Sequence, residues 1–191
     1  VLDDVQHGEE NQIMQAMDYG FISPTDFNCM GYATPAAIAV KMAKPQQEVH
    51  AIVGDGAFMM TASELATAVS QNLGLVIGVF NDGELSQITQ AQQIPYNRKT
   101  CSVLPQIKLK GLAMATGAEY VRIETNSDIK SGLTKAREFA QKSKAVILDI
   151  NIDYSKATAF TEGAVKTNLK RMPLPTKVRM VGRAMVRKVT K

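Results

Sequence analysis

Short apolar runs alternate along this chain with longer segments in which apolar residues recur at helical spacing. The runs lack the apolar–polar alternation of a strand with one face in water, which favours strands covered on both faces. We therefore predict β-strands at five places, the first of them cut short by the start of the sequence. These strands are Val1–Val5, Val49–Val53, Leu75–Phe80, Tyr120–Ile123 and Ala145–Ile150.

Residues that start and stop helices lie between the runs. Thr34, followed by Pro35, is predicted to cap a helix that runs to about Ala43. Helices alternating with strands predict the α/β class, as a three-layer α/β/α arrangement around a mostly parallel sheet. Three later helices are predicted over 84–91, over 107–116 with a stop at Gly117, and after a Ser127 cap, where Ile129, Leu133, Ala136 and Ala140 share one face.

Acidic turns follow the second and third runs. Asp55 lies in a Gly-Asp-Gly turn and Asp82 in an Asn-Asp-Gly turn, 27 positions later. The segment between them fits a helix that begins at a Thr61–Glu64 capping box and stops at Gly74. Parallel strands joined by such a helix bring both acids to one edge of the sheet, where α/β proteins bind ligands. Two carboxylates are hard oxygen ligands, and together with a diphosphate they suit octahedral Mg²⁺.

Asp82 and Glu64 each have a second explanation. An Asn-Asp-Gly triplet is good turn chemistry in its own right, so that Asp82 needs no metal to account for it. Glu64 is explained by the capping box, and a catalytic carboxylate is the alternative.

Composition places the chain among ordinary globular proteins. Its 191 residues are 45% hydrophobic, which suits one domain with a sizeable core. No apolar run is long enough to cross a bilayer, and no signal peptide is visible. Two cysteines, Cys29 and Cys101, form neither a disulfide framework nor a metal cluster, so we expect a cytoplasmic protein. Because the first residue is valine, we expect the sequence to be a fragment or to lack its original start.

Charge divides the chain into two parts. Residues 156–191 contain ten Lys or Arg and one acid, Glu162, for a net charge of +9, whereas the whole chain carries +4 and residues 1–155 therefore −5. We predict a folded domain over 1–155 and a basic C-terminal arm over 156–191. Such charge also suits nucleic acid. No nucleic-acid-binding motif accompanies it, so we expect the arm to pack along an acidic domain or subunit of the same protein.

Three motifs together resemble those of a known family. Gly-Asp-Gly, a spacer in the mid-twenties and Asn-Asp resemble the thiamine diphosphate and magnesium motif. The residues from Cys29 to Ile38 are similar to the "MGYxxPAAIG" segment of the acetolactate synthase-like branch, and Glu64–Ala68 reads ELATA, as that branch does. The likeness is good over 21–92, fair to Ile150 and poor beyond. It implies the C-terminal, pyrophosphate-binding domain of an enzyme that decarboxylates or joins 2-oxo acids.

The resemblance also implies which residues hold the metal ion. Asp55 matches the first metal carboxylate of the family. Asp82 falls at the second ligand position, where Asn is common, and the backbone carbonyl of Glu84 would be the third ligand. Further contacts to thiamine diphosphate are implied at Gly54, Gly56 and Ala57.

Two more segments match cofactor contacts of the family. Met30 matches a bulky apolar residue wedged beneath the cofactor between its two rings. Backbone groups of Asn28 and Met30 would hydrogen-bond the aminopyrimidine ring. Gln6-His7 resembles a Gln-His pair that touches the diphosphate. The alternatives are that Met30 fills a gap in the core and that His7 is a surface residue.

The resemblance finally implies a partner. The activating glutamate of the family lies on a separate pyrimidine-binding domain, so this chain would supply half of an active site, in a homodimer or homotetramer, and be inactive alone. Acetolactate synthases that prefer larger acceptors carry Trp nine positions after the second metal ligand, where this chain has Ala91. The alternatives are a separate small subunit of a 2-oxo acid decarboxylase and a non-catalytic cofactor-binding module.

Overall fold

A computed structural model describes residues 2–3, 20–24, 27, 29–96, 98–154, 167 and 170–189 of the chain. Five strands form one parallel sheet in the order β1-β2-β3-β5-β4. Each coincides with a predicted run to within a few residues at its ends, so the predicted parallel sheet is confirmed. The strands are β1 (Leu2–Asp3), β2 (His50–Gly54), β3 (Val76–Asn81), β4 (Glu119–Ile123) and β5 (Val146–Asn151).

Helices connect the strands, as parallel pairing requires. The α-helices are α1 (Ala33–Ala43), α2 (Asp55–Met60), α3 (Leu65–Ser70), α4 (Ser86–Tyr96), α5 (Leu109–Thr116), α6 (Ile129–Gln141) and α7 (Leu174–Val189), with 3₁₀ turns at Ala62–Glu64 and Asn126–Asp128.

Both faces of the sheet are buried. Along β5, Val146 and Leu148 pack with Ala136 of α6, whereas Ile147 between them packs into a second cluster that includes Leu109 of α5. Each such aliphatic side chain contributes about 1.5–3 kcal/mol when fully buried. Apolar residues on both faces, each covered by helices, confirm the predicted three-layer arrangement.

The start of α1 differs from the prediction. The helix begins at Ala33 directly out of a turn at Gly31, whose φ is +87°, and its N-cap Tyr32 makes no side-chain cap. Thr34 therefore lies inside the first turn rather than at the N-cap. Its side chain is fully buried, and its hydroxyl has no hydrogen-bond partner among the described residues.

The predicted capping box at Thr61 is wrong. The Thr61 hydroxyl donates to the carbonyl of Gly31 at 3.2 Å, a contact 30 positions away in sequence. Glu64 instead accepts a hydrogen bond from Thr67 Oγ1 at 3.1 Å. The segment consequently forms two short helices and a 3₁₀ turn rather than one helix, and the first of them, α2, begins at Asp55 itself.

Gly74 does not end a helix. Helix α3 stops at Ser70, and Gly74 is required for a different reason, because a β-carbon there would lie 1.9 Å from the carbonyl oxygen of Ala140. The stop predicted at Gly117 is confirmed by its left-handed φ of +81°.

Ser127 does not cap helix α6: the N-cap position of α6 is Asp128, and Thr125 and Asp128 form a reciprocal capping box on the 3₁₀ turn that leads into the helix. Its predicted apolar face is only partly correct. Ala136 is buried against the sheet, but Ile129 and Leu133 are exposed.

Helix α7 lies within the predicted basic arm and contacts α4. The division at residue 155 stays a prediction, because 155–166 fall outside the described residues. Among the described helices, none has the length and apolar content needed to cross a membrane.

Candidate functional site

The site is built where two neighbouring strands end. Strands β2 and β3 pair in parallel, with Gly54 opposite Phe80. Asp55 is the first residue of α2, and Asp82 comes directly after β3. The structure therefore brings the two acids together at one edge of the sheet.

The carboxylate of Asp55 joins the two strand exits. Its side chain is buried, and its Oδ1 accepts a hydrogen bond from the N–H of Gly56 at 2.8 Å. Its Oδ2 accepts one from the N–H of Gly83 at 2.9 Å. Gly83 has a φ of +74°, a conformation that costs glycine little and other residues more. The turn after Asp82 is thus held against Asp55 by a backbone N–H.

Both acids lie where a negative charge is disfavoured. Burial raises the pKa of Asp55 to about 6; the N–H groups of Gly83 and Gly56 oppose this shift, and the charge of Asp82 adds to it. Burial also raises the pKa of Asp82, against hydrogen bonds from Ser86 and the N–H of Glu84. A bound divalent cation would favour the ionised form of both groups.

The backbone of Glu84 faces the acids because an antiparallel segment holds it from the other side. Glu84 pairs with Val103. Hydrogen bonds flank this pair, from Leu85 N to Ser102 O at 2.8 Å and from Leu104 N to Gly83 O at 2.9 Å. In such a pair the N–H and C=O of the central residue point away from the partner segment.

Two contacts agree with this orientation. The N–H of Glu84 reaches Asp82 Oδ1 at 3.4 Å, on the side of the acids. The side chain of Glu84 forms an ion pair with Lys99, on the side of the antiparallel segment. The pairing thus puts the N–H and C=O of Glu84 on the side of the acids, while Lys99 pairs with its carboxylate.

A cleft of about 190 Å³ opens beside these groups. The structure brings Met30, Gly54, Asp55, Asp82 and Glu84 together in its lining. The Met30 side chain reaches over the first turn of α2, because a β-carbon on Gly56 would lie 3.8 Å from Met30 Cε. Ala57, the next residue of that turn, is buried beneath the cleft. The predicted contacts Asn28 and His7 lie outside the described residues.

The donor set suits Mg²⁺ shared with a diphosphate. Within the described part of the chain, no group of three or more His, Cys, Asp or Glu side chains is arranged to hold a metal ion. The site instead offers two carboxylates and one backbone carbonyl. Mg²⁺ is usually bound by one or two carboxylates, with phosphates and water completing six oxygen ligands. The residues present therefore fit the ion when the diphosphate is bound as well.

Several residues that line the cleft are not predicted from the sequence. Ser86 lies four positions after Asp82 on α4, a spacing that predicts its contact. Tyr154 follows β5, and only the adjacency of β5 to β3 places it at the site. Ala91 lies exposed on α4 and is not among the described lining residues. The residues missed are Phe80, Leu85, Ser86, Gln87, Ile88 and Tyr154.

Known proteins similar to this chain indicate its family. The family model described as "Thiamine pyrophosphate enzyme, C-terminal TPP binding domain" matches residues 8–150. A probable acetolactate synthase large subunit from Methanococcus aeolicus is 36% identical over 155 residues, which are 78% of this chain and 25% of that protein. The acetolactate synthase large subunit of Haemophilus influenzae is 31% identical over 157 residues, 77% of this chain and 27% of that protein.

The chain thus spans about a quarter of the length of these relatives. A solved thiamine diphosphate-dependent 4-hydroxybenzoylformate decarboxylase from Rhodococcus jostii RHA1 shares the fold, with a TM-score of 0.60 at 20% identity, over 67% of this chain and 24% of that one. The family model covers most of the chain, including both acidic turns. The chain therefore belongs to the thiamine pyrophosphate enzymes and carries their C-terminal cofactor-binding domain, of the acetolactate synthase-like kind.

Proposed function

We propose that this domain holds Mg²⁺ and the diphosphate of thiamine diphosphate at the edge formed by β2 and β3. Asp55, Asp82 and the backbone carbonyl of Glu84 are the ligands that the chain supplies. One observation carries the proposal: the buried Asp55 and the half-buried Asp82 follow adjacent strands, with the N–H of Gly83 joining Asp55 to the turn after Asp82 at 2.9 Å. Burial raises the pKa of both acids, and a bound cation would favour their ionised forms.

Residues around the acids are assigned to the cofactor. Gly54, Gly56 and Ala57 flank Asp55 at the start of α2, and the family resemblance assigns them to the cofactor; of the three, Gly54 lines the cleft. Met30 projects over this turn in the cleft, which supports the wedge role proposed for it. Cofactor contacts by Asn28 and His7 rest on the family resemblance alone.

The cofactor, once bound, supplies the electron sink that lets a bond beside a 2-oxo acid carbonyl break. The chain supplies position and charge: the acids fix the metal, and Met30 supports the shape of the cofactor. The cleft of about 190 Å³ is small beside the roughly 300–1,000 Å³ of complete ligand pockets. This size supports a half-site, completed by the pyrimidine-binding domain and its glutamate in a homodimer or homotetramer. The chain alone would then be inactive.

The reaction we propose is decarboxylation and carboligation of 2-oxo acids, as the names of the curated relatives suggest. A decarboxylase is the second candidate, because Ala91 replaces the Trp of acetolactate synthases that prefer larger acceptors. Incubating the full-length enzyme with pyruvate separates the two, since the first gives acetolactate and the second acetaldehyde. A non-catalytic module would bind the cofactor and give neither product. Two exposed, unpaired cysteines support the cytoplasm as the setting.

Calorimetric titration of the full-length enzyme with thiamine diphosphate, with and without Mg²⁺, tests the binding proposal. We expect binding only when both are present. The Glu138→Gln variant is a matched control, because it removes one negative charge from an exposed position on α6 and should bind like the wild type. Equal cofactor affinity with and without Mg²⁺ would contradict the metal-bridged site.

A further inference from the structure

A second buried acid lies on the same sheet, on the strand beside β3. Asp149 of β5 is only 4% exposed. In the register of the sheet it lies opposite Val79 of β3 and Arg122 of β4. Side chains alternate along a strand, so Asn81, two residues after Val79, shares the sheet face of Asp149.

Both oxygens of the Asp149 carboxylate are occupied. Oδ1 accepts hydrogen bonds from Arg122 Nη1 at 2.6 Å and from Asn81 Nδ2 at 3.1 Å. Oδ2 accepts one from the hydroxyl of Tyr120 at 2.7 Å. These contacts link three strands through a single side chain.

Stability alone is a weak explanation for this cluster. The buried Asp149 carboxylate loses its hydration, while the Arg122 side chain is 32% exposed and its charge is screened by solvent, so the ion pair adds little net stability. The neighbouring positions on this face, such as Ile147, are filled by apolar residues that pack into the core. The role of this cluster is therefore better explained by the residue that it holds in place.

What it holds is the last residue of β3. Asn81 is anchored to β5 twice, through its side chain to Asp149 and through its carbonyl, which accepts from Ile152 N at 3.4 Å. Asp82 is the next residue, and its carboxylate is the second metal ligand of the proposed site. The contacts that hold Asn81 in place therefore also determine where the next residue, Asp82, lies relative to Asp55.

We propose that Asp149 is a positioning residue of the metal site, which acts through the Asn81 side chain to set the placement of Asp82. This role rests on the proposed function. Arg122 braces the same carboxylate oxygen, Oδ1, from the far side, whereas Tyr120 contacts only Oδ2. Arg122 is itself held by Glu124 Oε2, 2.7 Å from its Nε.

The test is the affinity of the full-length enzyme for Mn²⁺ in the presence of thiamine diphosphate, measured by electron paramagnetic resonance. Asp149→Leu removes the acceptor and should weaken Mn²⁺ binding about tenfold, the lower end of effects for residues behind a metal ligand. Asn81→Ala should weaken it by a similar factor. The double variant should lose no more than either single one, because both changes break the same contact.

Two variants serve as controls in the same assay. Asp149→Asn keeps an oxygen for Asn81 and should restore affinity to within about threefold of the wild type, a change below about 1 kcal/mol. Tyr120→Phe removes a hydrogen bond from the same carboxylate without touching Asn81 and should bind Mn²⁺ normally. A purely structural role would instead make Mn²⁺ affinity follow the melting temperature across all variants, which would overturn the positioning role.

Further results would overturn either the positioning role of Asp149 or the proposed function. Normal Mn²⁺ affinity in a folded Asp149→Leu enzyme, or losses that multiply in the double variant, would overturn the positioning role alone. If Asp149→Leu does not fold, Asn81→Ala carries the test, since it leaves Asp149 paired with Arg122 and Tyr120, and normal affinity there overturns the role. A wild-type enzyme that binds no Mn²⁺ with the cofactor would overturn the proposed function, and this role with it.

Discussion

Two buried aspartates on this sheet differ in what neutralises them. Asp149 faces the guanidinium of Arg122 at 2.6 Å and a tyrosine hydroxyl. Asp55 accepts only backbone N–H groups and has Asp82 for a neighbour; in the described part of the chain, no Lys, Arg or His side chain forms an ion pair with it. Among the described residues, the chain thus supplies a counter-charge for Asp149 and none for Asp55. We propose that a bound cation supplies the counter-charge of Asp55.

Removing Asp55 should have the largest effect on binding. Asp55→Ala deletes an anionic ligand, and we expect magnesium-dependent cofactor binding to weaken at least about 100-fold, or about 2.7 kcal/mol. Titration calorimetry on the full-length enzyme measures this. Tyr120→Phe, at the other acid, is the control and should bind the cofactor like the wild type. A loss of the same size in both variants would erase the distinction between the two acids.

Removing the counter-charge of Asp149 should instead lower stability. Arg122→Met leaves the carboxylate buried beside Asn81 and Tyr120 alone, and we expect the free energy of unfolding to fall by about 1–3 kcal/mol. The upper range for deeply buried pairs does not apply, because the Arg122 side chain is 32% exposed. Chemical denaturation with and without cofactor measures the change. An unchanged midpoint would show that water replaces the guanidinium.

Asp82→Asn tests whether the second proposed metal ligand needs its negative charge, as we expect the first, Asp55, to do. The amide keeps one ligating oxygen at the same reach and restores the commoner family residue, so cofactor affinity should stay within about tenfold, or 1.4 kcal/mol. The same calorimetric titration applies. Damage as severe as that of Asp55→Ala would show that both charges are required.

The smallest effect that we expect is a loss of stability at high pH, caused by Tyr120, whose hydroxyl donates to Asp149. Burial, together with the hydrogen bond to Asp149, raises the pKa of Tyr120 to about 12. Because the folded state keeps this proton more tightly than the unfolded one, with an ordinary pKa near 10, stability should fall as the pH rises from about 10 to 12.

Ultraviolet absorbance of phenolate, compared between the wild type and Tyr120→Phe, isolates this group. Little phenolate should form at Tyr120 at pH 11. Ordinary ionisation there, while circular dichroism shows the fold intact, would mean that Asp149 does not hold the hydroxyl.

The strands and the paired acids are predictable because local pattern determines them. An apolar run followed by an acidic turn specifies a strand end, and two such ends in parallel strands meet at one edge. The predicted capping box does not form because the Thr61 hydroxyl bonds to Gly31 instead. These residues are 30 positions apart, so no local pattern predicts the contact. The Asp149 cluster depends on β5 lying between β3 and β4, an order that no local pattern reveals.

The pairing of Glu84 with Val103 affects how this sequence is able to vary. The ligand that we propose at position 84 is a backbone carbonyl, which places no demand on the side chain, so we expect position 84 to tolerate substitution as long as the turn keeps its course. The constraint moves to the length of the 99–104 segment, where a single inserted or deleted residue would rotate the carbonyl away from the acids. Among members of the family, we therefore expect the residue type at position 84 to vary and the number of residues in the segment around Val103 to stay constant.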